Sequence, residues 1–394
     1  MIDESLKHFI ENHLDESPIK LSNLLANETA ERRTFVMQQI NGRQKIKKKL
    51  PLLYTNFQLI IPPSLHLEQS SSEETAQFKA SLFQGLKIID ITGGLGIDSF
   101  AFAENNQVTY CEINENLAEI TQHNARVLDI HKLKVFPLNG IEFLQKTNDY
   151  FDLVYLDPAR RDEQNSKVIK FEDCTPNILA IKEDLFLKSN KILMKTSPMF
   201  DLKMGIKQLK NVTKIYVVAL KNEVKEILWL LEKDATIEAT SVSIASVNLN
   251  KETTQVFEGT FHQESTTSIN YGTIANFLYE PNLAIMKAGL FNLIAKKFNL
   301  KKLHQHSHLY TSEVLVENFP GRIFKVDKTL LYQPKQLKKI LQKKKFNIST
   351  RNFPSLVRDL ISKFQIIEGG EDFVFFTQQQ NDEKIVIFTK KVIS

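Results

Sequence analysis

The sequence predicts an α/β protein in which a parallel sheet is covered by helices on both faces. The first observation is an alternation between residues 87 and 231, where short apolar runs are separated by segments with helical spacing. The second is that polar residues follow five successive apolar runs. Parallel strands joined by helices require right-handed crossovers, which place helices on both faces of a sheet. The alternation therefore favours an open, doubly wound sheet.

The apolar runs give six predicted strands. In chain order they are Lys87–Ile91, Gln107–Cys111, Lys134–Leu138, Phe151–Leu156, Lys191–Lys195 and Lys214–Leu220. A predicted helix, Glu115–Leu128, separates the second strand from the third. In open parallel sheets a ligand binds outside the carboxyl ends of the strands, so polar residues at those ends are candidate ligand contacts. These residues are Asp90, Thr92, Glu112, Asn139, Asp157 and Thr196.

A glycine cluster follows the first strand directly. Gly93, Gly94 and Gly96 stand between that strand and a predicted helix that begins at Ile97. Glycine lets the backbone bend sharply and approach a ligand closely, because it has no Cβ. A plain turn would also explain the cluster, so the residues at the other strand ends decide its role.

From residue 80 to residue 235 the chain resembles the class I S-adenosylmethionine-dependent methyltransferases. The segment Asp90–Asp98 is similar to that family's cofactor loop. Glu112 closes the second strand 22 residues after Asp90, where the family has an acid that binds the cofactor ribose. The motif Asp157-Pro158-Ala159-Arg160 closes the fourth strand at the place of the family's catalytic motif. The resemblance implies a Rossmann-like methyltransferase sheet and the cofactor S-adenosyl-L-methionine.

The resemblance also implies a set of cofactor-binding residues. They are Asp90, Thr92, Gly93, Gly94, Gly96, Asp98, Glu112, Asn139 and Asp157. A carboxylate such as Glu112 can accept charge-assisted hydrogen bonds from both ribose hydroxyls. Asn139 is placed to bond the adenine edge, although Asn139-Gly140 would also suit a plain turn. A dehydrogenase is disfavoured, because Gly93-Gly94-Leu95-Gly96 does not fit its G-x-G-x-x-G spacing.

The motif after the fourth strand supplies the candidate catalytic residues, Asp157, Pro158 and Arg160. In similar methyltransferases of base nitrogens, the acid and a backbone carbonyl accept hydrogen bonds from the target amine, and an aromatic residue stacks on the base. Arg160 stands here at the aromatic position, and a guanidinium plane can also stack on a base. Arg160 could equally bind a phosphate with Arg161, or form an ion pair with Asp162.

Covalent catalysis on a ring carbon is disfavoured. Carbon methyltransferases with a similar motif need a cysteine after the fifth strand, where this chain has Lys195-Thr-Ser-Pro198. Cys111 lies within the second strand, which indicates a core position, and Cys174 lies elsewhere. Neither cysteine belongs to a CxxC pair, so neither zinc nor a disulfide framework is indicated.

Composition limits the class of protein. The chain has 394 residues, 42% hydrophobic and 25% charged, which is typical of a folded protein of two or three domains. The formal net charge of +5 is too small to imply nucleic acid by itself, so the clustering of basic residues matters more. The N-terminal segment is charged, and no apolar run approaches the length of a membrane span. We therefore expect a cytoplasmic protein without a membrane partner.

Residues 1–80 are predicted to form an accessory helical region. A helix over Arg32–Ile46 leads into the basic run Arg43–Lys49, which is either a solvated helix end or a phosphate-contacting arm. A further helix, Glu74–Gln84, leads into the α/β region.

Beyond residue 235 the pattern changes. Ile237–Val247 and Gln255–Phe261 predict antiparallel strands, and Leu283–Phe298 predicts one helix. Three histidines alternate as on one face of a strand, without further support for a metal site: His304, His306 and His308.

Residues 323–394 resemble the small THUMP-like domain at the end of a bacterial methyltransferase family, and Asn276–Gly321 resembles that family's ferredoxin-like insert. The predicted elements include a strand, Arg322–Val326, and a basic helix, Pro334–Lys345. THUMP domains bind transfer RNA, so the resemblance implies an RNA partner. The lysines of the basic helix are either a solvated face or an RNA anchor.

We therefore expect four regions: 1–80 (helical), 81–235 (methyltransferase domain), 236–322 (strands and ferredoxin-like domain) and 323–394 (THUMP-like domain). The favoured function is S-adenosylmethionine-dependent methylation of a base nitrogen in transfer or ribosomal RNA. The alternatives are a methyltransferase for a protein or small molecule, and a non-catalytic RNA-binding protein with a degenerate cofactor site.

Overall fold

The computed structural model describes residues 2–160, 170–250 and 253–392, with only the backbone of Ser64, Leu65 and Arg160. The chain divides into two compact units. The first unit comprises residues 1–214 and 226–237, and the second unit comprises residues 215–225 and 238–394.

Six helices form the N-terminal part of the first unit. They are α1 (Glu4–Asn12), α2 (Pro18–Leu24), α3 (Ala30–Ile46), α4 (Pro51–Thr55), α5 (Ser64–Gln69) and α6 (Glu73–Ser81). Four of these helices begin where a side-chain oxygen accepts a hydrogen bond from an N–H of the first turn. The capping residues are Asp3, Ser17, Thr29 and Ser72. The apolar spacing thus predicts this region correctly as helical.

The basic run Arg43–Lys49 does not form a phosphate-contacting arm as a whole. Arg43 is fully buried, and its guanidinium donates to the backbone carbonyls of Asn56 at 3.2 Å and Leu59 at 2.7 Å. Burial lowers the pKa of Arg43 to about 10. The Nζ of Lys49 donates to the carbonyl of Leu67 at 2.8 Å. Both interpretations of the run are therefore wrong for Arg43, which is a core residue because buried carbonyls of the following segment need a donor.

Between residues 87 and 232, the described part of the chain, which omits residues 161–169, contains nine strands. They are β1 (Lys87–Asp90), β2 (Gln107–Cys111), β3 (Leu133–Phe136), β4 (Leu153–Leu156), β5 (Ala159–Arg160), β6 (Cys174–Thr175), β7 (Lys191–Thr196), β8 (Val212–Leu220) and β9 (Glu223–Glu232). In the first unit the strand order is β9-β7-β4-β1-β2-β3. The neighbours from β7 to β3 are all parallel, and β9 is antiparallel to β7. The predicted parallel sheet is confirmed, whereas the sequence pattern gave no indication of β9.

In the described residues of the first unit, five helices lie along the chain between strands of this sheet. They are α7 (Ile97–Asn105), α8 (Glu115–Val127), α9 (Gly140–Lys146), α10 (Ile178–Phe186) and α11 (Leu202–Leu209). The central strands β1 and β4 are buried on both faces, and Ile88, Ile89, Leu153 and Val154 are each 0% exposed. This two-sided burial explains why the central strands are continuous apolar runs rather than alternating ones.

The second unit contains most of the remaining elements. They are β10 (Ser243–Leu249), β11 (Thr254–Gly259), α12 (Phe261–Thr266), β12 (Phe277–Pro281), α13 (Leu283–Ala288), α14 (Phe291–Lys297), β13 (Lys301–Lys302), β14 (Tyr310–Ser312), β15 (Gly321–Leu331), α15 (Pro334–Leu341), β16 (Lys345–Thr350), α16 (Val357–Phe364), β17 (Ile367–Gln378) and β18 (Lys384–Lys391). Strands β10 and β11 are antiparallel, as predicted. Among the helices of the described ranges, none has the length and apolar character that a membrane span requires.

A seven-stranded sheet of order β13-β14-β12-β15-β18-β17-β16 organises the C-terminal part of the second unit. The basic helix α15 and the helix α16 share a core with β17, in which Leu337, Leu360 and Val374 are fully buried. Strand β12 pairs antiparallel with β15 from Phe277↔Lys325 to Pro281↔Gly321. The segment that resembles a ferredoxin-like insert and the segment that resembles a THUMP domain therefore share one sheet.

The predicted single helix Leu283–Phe298 is two helices, α13 and α14. Gly289 ends α13 in the left-handed conformation with φ +73°, and its N–H donates to the carbonyl of Ile285 at 3.0 Å. A glycine in this conformation is a common helix terminator. The apolar spacing continues through the break, which is why the pattern alone missed it.

The predicted histidine face is also wrong. His304, His306 and His308 lie in the loop between β13 and β14, not on a strand. His304 contacts the Asp382 carboxylate at 3.0 Å, whereas His308 has a left-handed φ of +52° and stacks on Phe291. A left-handed residue breaks the extended alternation that a shared face requires.

Candidate active site

The glycine loop connects β1 to α7 and is held against the end of β2. The N–H of Gly93 donates to the Cys111 carbonyl at 2.9 Å, and the N–H of Gly96 donates back to the Gly93 carbonyl at 3.0 Å. Gly94 and Gly96 have left-handed φ values of +57° and +73°. The loop is therefore a compact turn that other residues would form only with strain.

Each glycine of the loop meets a different constraint. A Cβ on Gly93 would lie 2.1 Å from the Tyr110 ring, and a Cβ on Gly96 would lie 2.7 Å from Thr121. A Cβ on Gly94 would have no neighbour closer than the Thr92 carbonyl oxygen, at 3.8 Å. Gly93 and Gly96 thus serve close packing, whereas Gly94 borders open space that a ligand could fill.

Glu112 closes β2 beside this loop. One carboxylate oxygen accepts from the Gly94 N–H at 2.8 Å, and the other accepts from the Asn114 N–H at 2.8 Å. The side chain is half-buried. Each oxygen keeps a second lone pair, so the carboxylate is oriented by the backbone and can still accept from a pair of hydroxyls.

Asn139 closes β3 and caps α9. Its Oδ1 accepts from the N–H groups of Ile141 at 2.9 Å and Glu142 at 3.4 Å. The turn interpretation therefore describes the Oδ1 correctly, while the side-chain amide remains a donor with no hydrogen-bond partner among the described residues. Gly140 packs α9 onto the first strand end, because a Cβ there would lie 2.5 Å from the Ile91 carbonyl oxygen.

Two apolar side chains are exposed at the same strand ends. Ile113 follows Glu112 and is 71% exposed, and Leu138 precedes Asn139 and is 50% exposed. Sequence reasoning did not single out either residue. They provide apolar surface beside the hydrogen-bonding groups of Glu112 and Asn139.

Asp90 is buried, with 1% exposure. Its carboxylate accepts from the Ser99 hydroxyl at 2.6 Å and from the Thr92 N–H at 3.0 Å. Burial raises the pKa of Asp90 to about 7, although these hydrogen bonds lower it in part. Asp90 therefore stabilises the start of the glycine loop through buried hydrogen bonds.

Asp157 closes β4 next to the end of β1. Its N–H donates to the Thr92 hydroxyl at 2.7 Å, and its side chain is 35% exposed. Pro158 is buried, and the backbone of Arg160 pairs with Cys174 in the short β5–β6 ladder. The side chain of Arg160 lies outside the described part of the structure. Arg161 and Asp162, its possible partners, lie outside the described residues altogether.

Asp98, in the first turn of α7, belongs to a buried network of charges. Its Oδ2 accepts from the hydroxyls of Ser71 at 2.9 Å and Tyr155 at 2.7 Å. Its Oδ1 lies 3.3 Å from the Lys79 Nζ. Burial alone would raise the pKa of Asp98, but Lys79 and Lys195 lower it below its usual value.

Two buried lysines complete this network. The Nζ of Lys195 lies 2.5 Å from the Oδ2 of Asp157, and the Nζ of Lys79 lies 2.6 Å from the Oε1 of Glu226. Burial raises the pKa of Glu226 above its usual value, although Lys79 opposes this. Sequence reasoning missed Lys79, Lys195 and Glu226. A signal was present for Lys195 and Glu226, since each stands within an apolar strand, where an unpaired charge would be unfavourable.

These features fit an adenosine-containing cofactor at the carboxyl ends of β1, β2 and β3. The open space at Gly94 leaves room for close approach to the backbone. Glu112 offers acceptors for a vicinal diol and Asn139 offers an amide donor, and each of them is next to an exposed apolar residue in the sequence. The fold and these strand ends define the class of S-adenosylmethionine-dependent methyltransferases.

A solved protein from Porphyromonas gingivalis W83, described as a proposed methyltransferase, is 34% identical to this chain. The match covers 99% of this chain and 98% of that protein, with a TM-score of 0.89. Family models for a ferredoxin-like domain and a THUMP-like domain match residues 277–320 and 321–391. The chain therefore belongs to the family of S-adenosylmethionine-dependent methyltransferases that carry a ferredoxin-like insert and a C-terminal THUMP-like domain.

A second relative is the ribosomal RNA small subunit methyltransferase J of Haemophilus influenzae strain PittGG. It is 32% identical over 103 residues, which are 22% of this chain. The match spans only 37% of that relative's length.

Proposed function

We propose that the chain methylates a base nitrogen in transfer or ribosomal RNA, with S-adenosylmethionine as the methyl donor. The observation that carries the proposal is the position of Asp157. Its backbone is tied to Thr92, next to the glycine loop, while its carboxylate is 35% exposed at the carboxyl end of β4. An acceptor group placed there would lie at the carboxyl ends of the strands, where Gly94 and Glu112 are also found.

The cofactor is proposed to lie across the ends of β1, β2 and β3. Glu112 binds the ribose hydroxyls, the Gly94 backbone lies alongside the methionine part, and the Asn139 amide donates to the adenine edge. Ile113 and Leu138 cover the faces of the adenine ring. Asp90 acts indirectly, since its carboxylate is used within the loop.

The residues of the chain have a limited chemical task. When bound, the cofactor supplies a methyl group on a sulfonium, so its leaving group is a neutral thioether. The Asp157 carboxylate and the Pro158 carbonyl accept hydrogen bonds from the target amine, which orients the nitrogen lone pair in line with the methyl group. The nitrogen gains the methyl group, and the proton that it then loses passes to water.

Three observations favour RNA over other acceptors. The relative from H. influenzae is a ribosomal RNA methyltransferase, and the C-terminal segment matches a THUMP-like domain. Helix α15 also presents the exposed lysines Lys335, Lys338 and Lys339, which form no ion pair with any described residue. Unpaired lysines can neutralise phosphates and release counterions. A cytoplasmic location, expected from the sequence, is part of this proposal.

Mass spectrometry of nucleosides from total RNA tests the proposal directly. Cells with the chain and cells without it are compared, and the deletion is complemented by the wild type or by Asp157→Ala. We expect one N-methylated nucleoside to disappear on deletion, to return with the wild type and to stay absent with Asp157→Ala. If no RNA nucleoside changes, the methyl acceptor is a protein or small molecule. If the purified chain also binds no S-adenosylmethionine, the non-catalytic RNA-binding alternative replaces the proposal.

A further inference from the structure

Lys195 lies near the carboxyl end of β7, and its ammonium contacts the Asp157 carboxylate. Its Nζ lies 2.5 Å from the Asp157 Oδ2 and 3.3 Å from the Ser71 hydroxyl. It also lies 4.0 Å from the Asp98 Oδ2, and the residue is only 9% exposed. An ammonium has three N–H donors. Two of them make hydrogen bonds, to Asp157 and Ser71, and the Asp98 carboxylate is a longer ionic contact, so the ammonium is directed into the protein rather than toward an acceptor.

The two oxygens of Asp157 differ in their surroundings. Oδ2 accepts the short hydrogen bond from Lys195. Oδ1 receives no hydrogen bond from any residue that the structure describes, and the side chain is 35% exposed. The carboxylate therefore has one oxygen fixed by the protein and one oxygen free for an external donor.

The neighbouring charges do not replace Lys195. The other buried ammonium, Lys79, binds Glu226 at 2.6 Å and Asp98 at 3.3 Å. Burial lowers the pKa of Lys195, but Asp157, Asp98 and Glu226 together raise it above its usual value, so Lys195 remains an ammonium. Among the described parts of the chain, Lys195 is thus the ammonium that Asp157 depends on.

We propose that Lys195 is a positioning residue for methyl transfer, which fixes Oδ2 of Asp157 so that Oδ1 alone faces the acceptor amine. The inference rests on the proposed function, because it assigns Asp157 to the acceptor. An unclamped aspartate would rotate about its Cα–Cβ and Cβ–Cγ bonds, and misplacement of a positioning group by about 1 Å can lower a rate about 100-fold. Lys195 thereby contributes to turnover without contacting either substrate.

Three variants of the full chain test this role, with turnover normalised to the number of S-adenosylmethionine sites in each preparation. Lys195→Met is expected to lower kcat about 100-fold, with the dissociation constants for cofactor and RNA changed less than threefold. Lys195→Arg, which keeps the positive charge, is expected to have a kcat at least tenfold higher than that of Lys195→Met. Lys191→Met is the control on the same strand, since Lys191 is exposed and lies 3.6 Å from Glu232, and its kcat is expected to be unchanged. A kcat of Lys195→Met within threefold of the wild type, or no recovery with arginine, would overturn the proposal.

A double-mutant cycle separates this inference from the proposed function. Lys195→Met, Asp157→Ala and the combined variant are compared in urea unfolding, which needs no substrate. We expect coupling of more than tenfold in the unfolding equilibrium constant, because Lys195 is buried and its ammonium is in direct contact with the Asp157 carboxylate. If the two residues are coupled but the wild type methylates no RNA, the proposed function is refuted while the Lys195–Asp157 interaction stands. If they are not coupled, the inference that Lys195 fixes Asp157 is refuted. If Lys195→Met does not fold, Lys195→Gln takes its place in both experiments, with the same outcomes deciding.

Discussion

At the scale of single residues, the candidate site combines partly exposed polar groups with groups that orient them. The oxygens of Glu112 are oriented by two backbone N–H groups, and the backbone of Asp157 is fixed by the Thr92 hydroxyl. Asp90 belongs to the second kind, because it is 1% exposed and bonded within its own loop. This distinction leads to different expectations for substitutions that look similar in the sequence.

Glu112→Ala is expected to weaken S-adenosylmethionine binding by about 1.5–3 kcal/mol, the range for hydrogen bonds to a charged group. Calorimetric titration measures the change. Glu115→Ala is the matched control, since Glu115 is exposed in the first turn of α8. This variant should bind S-adenosylmethionine with the affinity of the wild type. An unchanged dissociation constant for Glu112→Ala would contradict the ribose assignment.

Asp157→Ala is expected to remove most of the turnover while leaving cofactor affinity nearly unchanged. A group used mainly in the transition state lowers kcat and kcat/KM together. Steady-state kinetics on the identified RNA, combined with cofactor titration, checks this. Near-normal turnover would show that Asp157 has a structural role only.

Asp90 gives a pH dependence whose sign follows from its pKa. The native pKa of about 7 lies above the ordinary value of 3.8, so between these pH values the native state binds more protons than the unfolded state. The unfolding free energy contributed by this group therefore falls as the pH rises through that window. Relative to Asp90→Asn, the wild type should lose about 2–3 kcal/mol of stability between pH 5 and pH 8. Urea unfolding at both pH values measures the difference in unfolding free energy between the wild type and Asp90→Asn. If that difference is the same at pH 5 and pH 8, the raised pKa of Asp90 is refuted.

At the scale of elements, the helices differ in whether their lysines form ion pairs with acidic side chains. Lysines of α1, α2 and α9 form ion pairs along the chain: Lys7 with Glu4, Lys20 with Glu16 and Lys146 with Glu142. The lysines of α15 form no such pairs within the described part of the chain. The apolar side of α15 holds Leu337 and Leu341 in the core, which leaves its lysines on the exposed face.

Replacing Lys335, Lys338 and Lys339 with Ala is expected to weaken RNA binding and to reduce its dependence on salt. Each lost phosphate contact lowers the slope of log K against log salt by about 0.7, so three contacts give about 2. The fold should persist, since exposed lysines contribute little to stability. Filter binding at several salt concentrations measures both quantities.

The control for α15 carries the same change in net charge. The triple substitution of Lys7, Lys20 and Lys146 with Ala removes lysines that already have acidic partners. Its salt slope is expected to stay close to that of the wild type. If both triple variants behave alike, net charge rather than the α15 face governs RNA binding.

At the scale of the whole molecule, the chain forms two compact units, and the candidate cofactor site belongs to the first. A ligand that binds only the folded form stabilises the unit that holds its site. At a concentration of 100 times the dissociation constant this stabilisation is about 2.7 kcal/mol.

Calorimetry of the full chain is therefore expected to show two unfolding transitions, of which S-adenosylmethionine shifts only one. A stabilisation of 1 kcal/mol raises Tm by about 2–4 °C for a unit of this size, so the shift should be about 5–11 °C. Glu112→Ala should reduce that shift and leave the other transition unchanged. A single transition, or equal shifts of both, would show that the two units unfold as one cooperative structure.

The sequence by itself determined the parallel sheet and the polar residues at its carboxyl ends, since both depend on local patterns. Apolar runs define buried strands, and the end of a strand fixes where Gly94, Glu112 and Asp157 stand along the chain. The resemblance to methyltransferases, confirmed by the comparisons, followed from those positions.

Only the tertiary structure decided which charged residues are buried and with whom they pair. Arg43 belongs to a basic run in the sequence but to the core in the fold, because distant carbonyls need its donors. Lys195 and Asp157 are 38 residues apart and meet only because β4 and β7 are neighbours in the sheet. The role of a charge depends on its solvation and its partners, and both are set by contacts between segments that are distant in sequence.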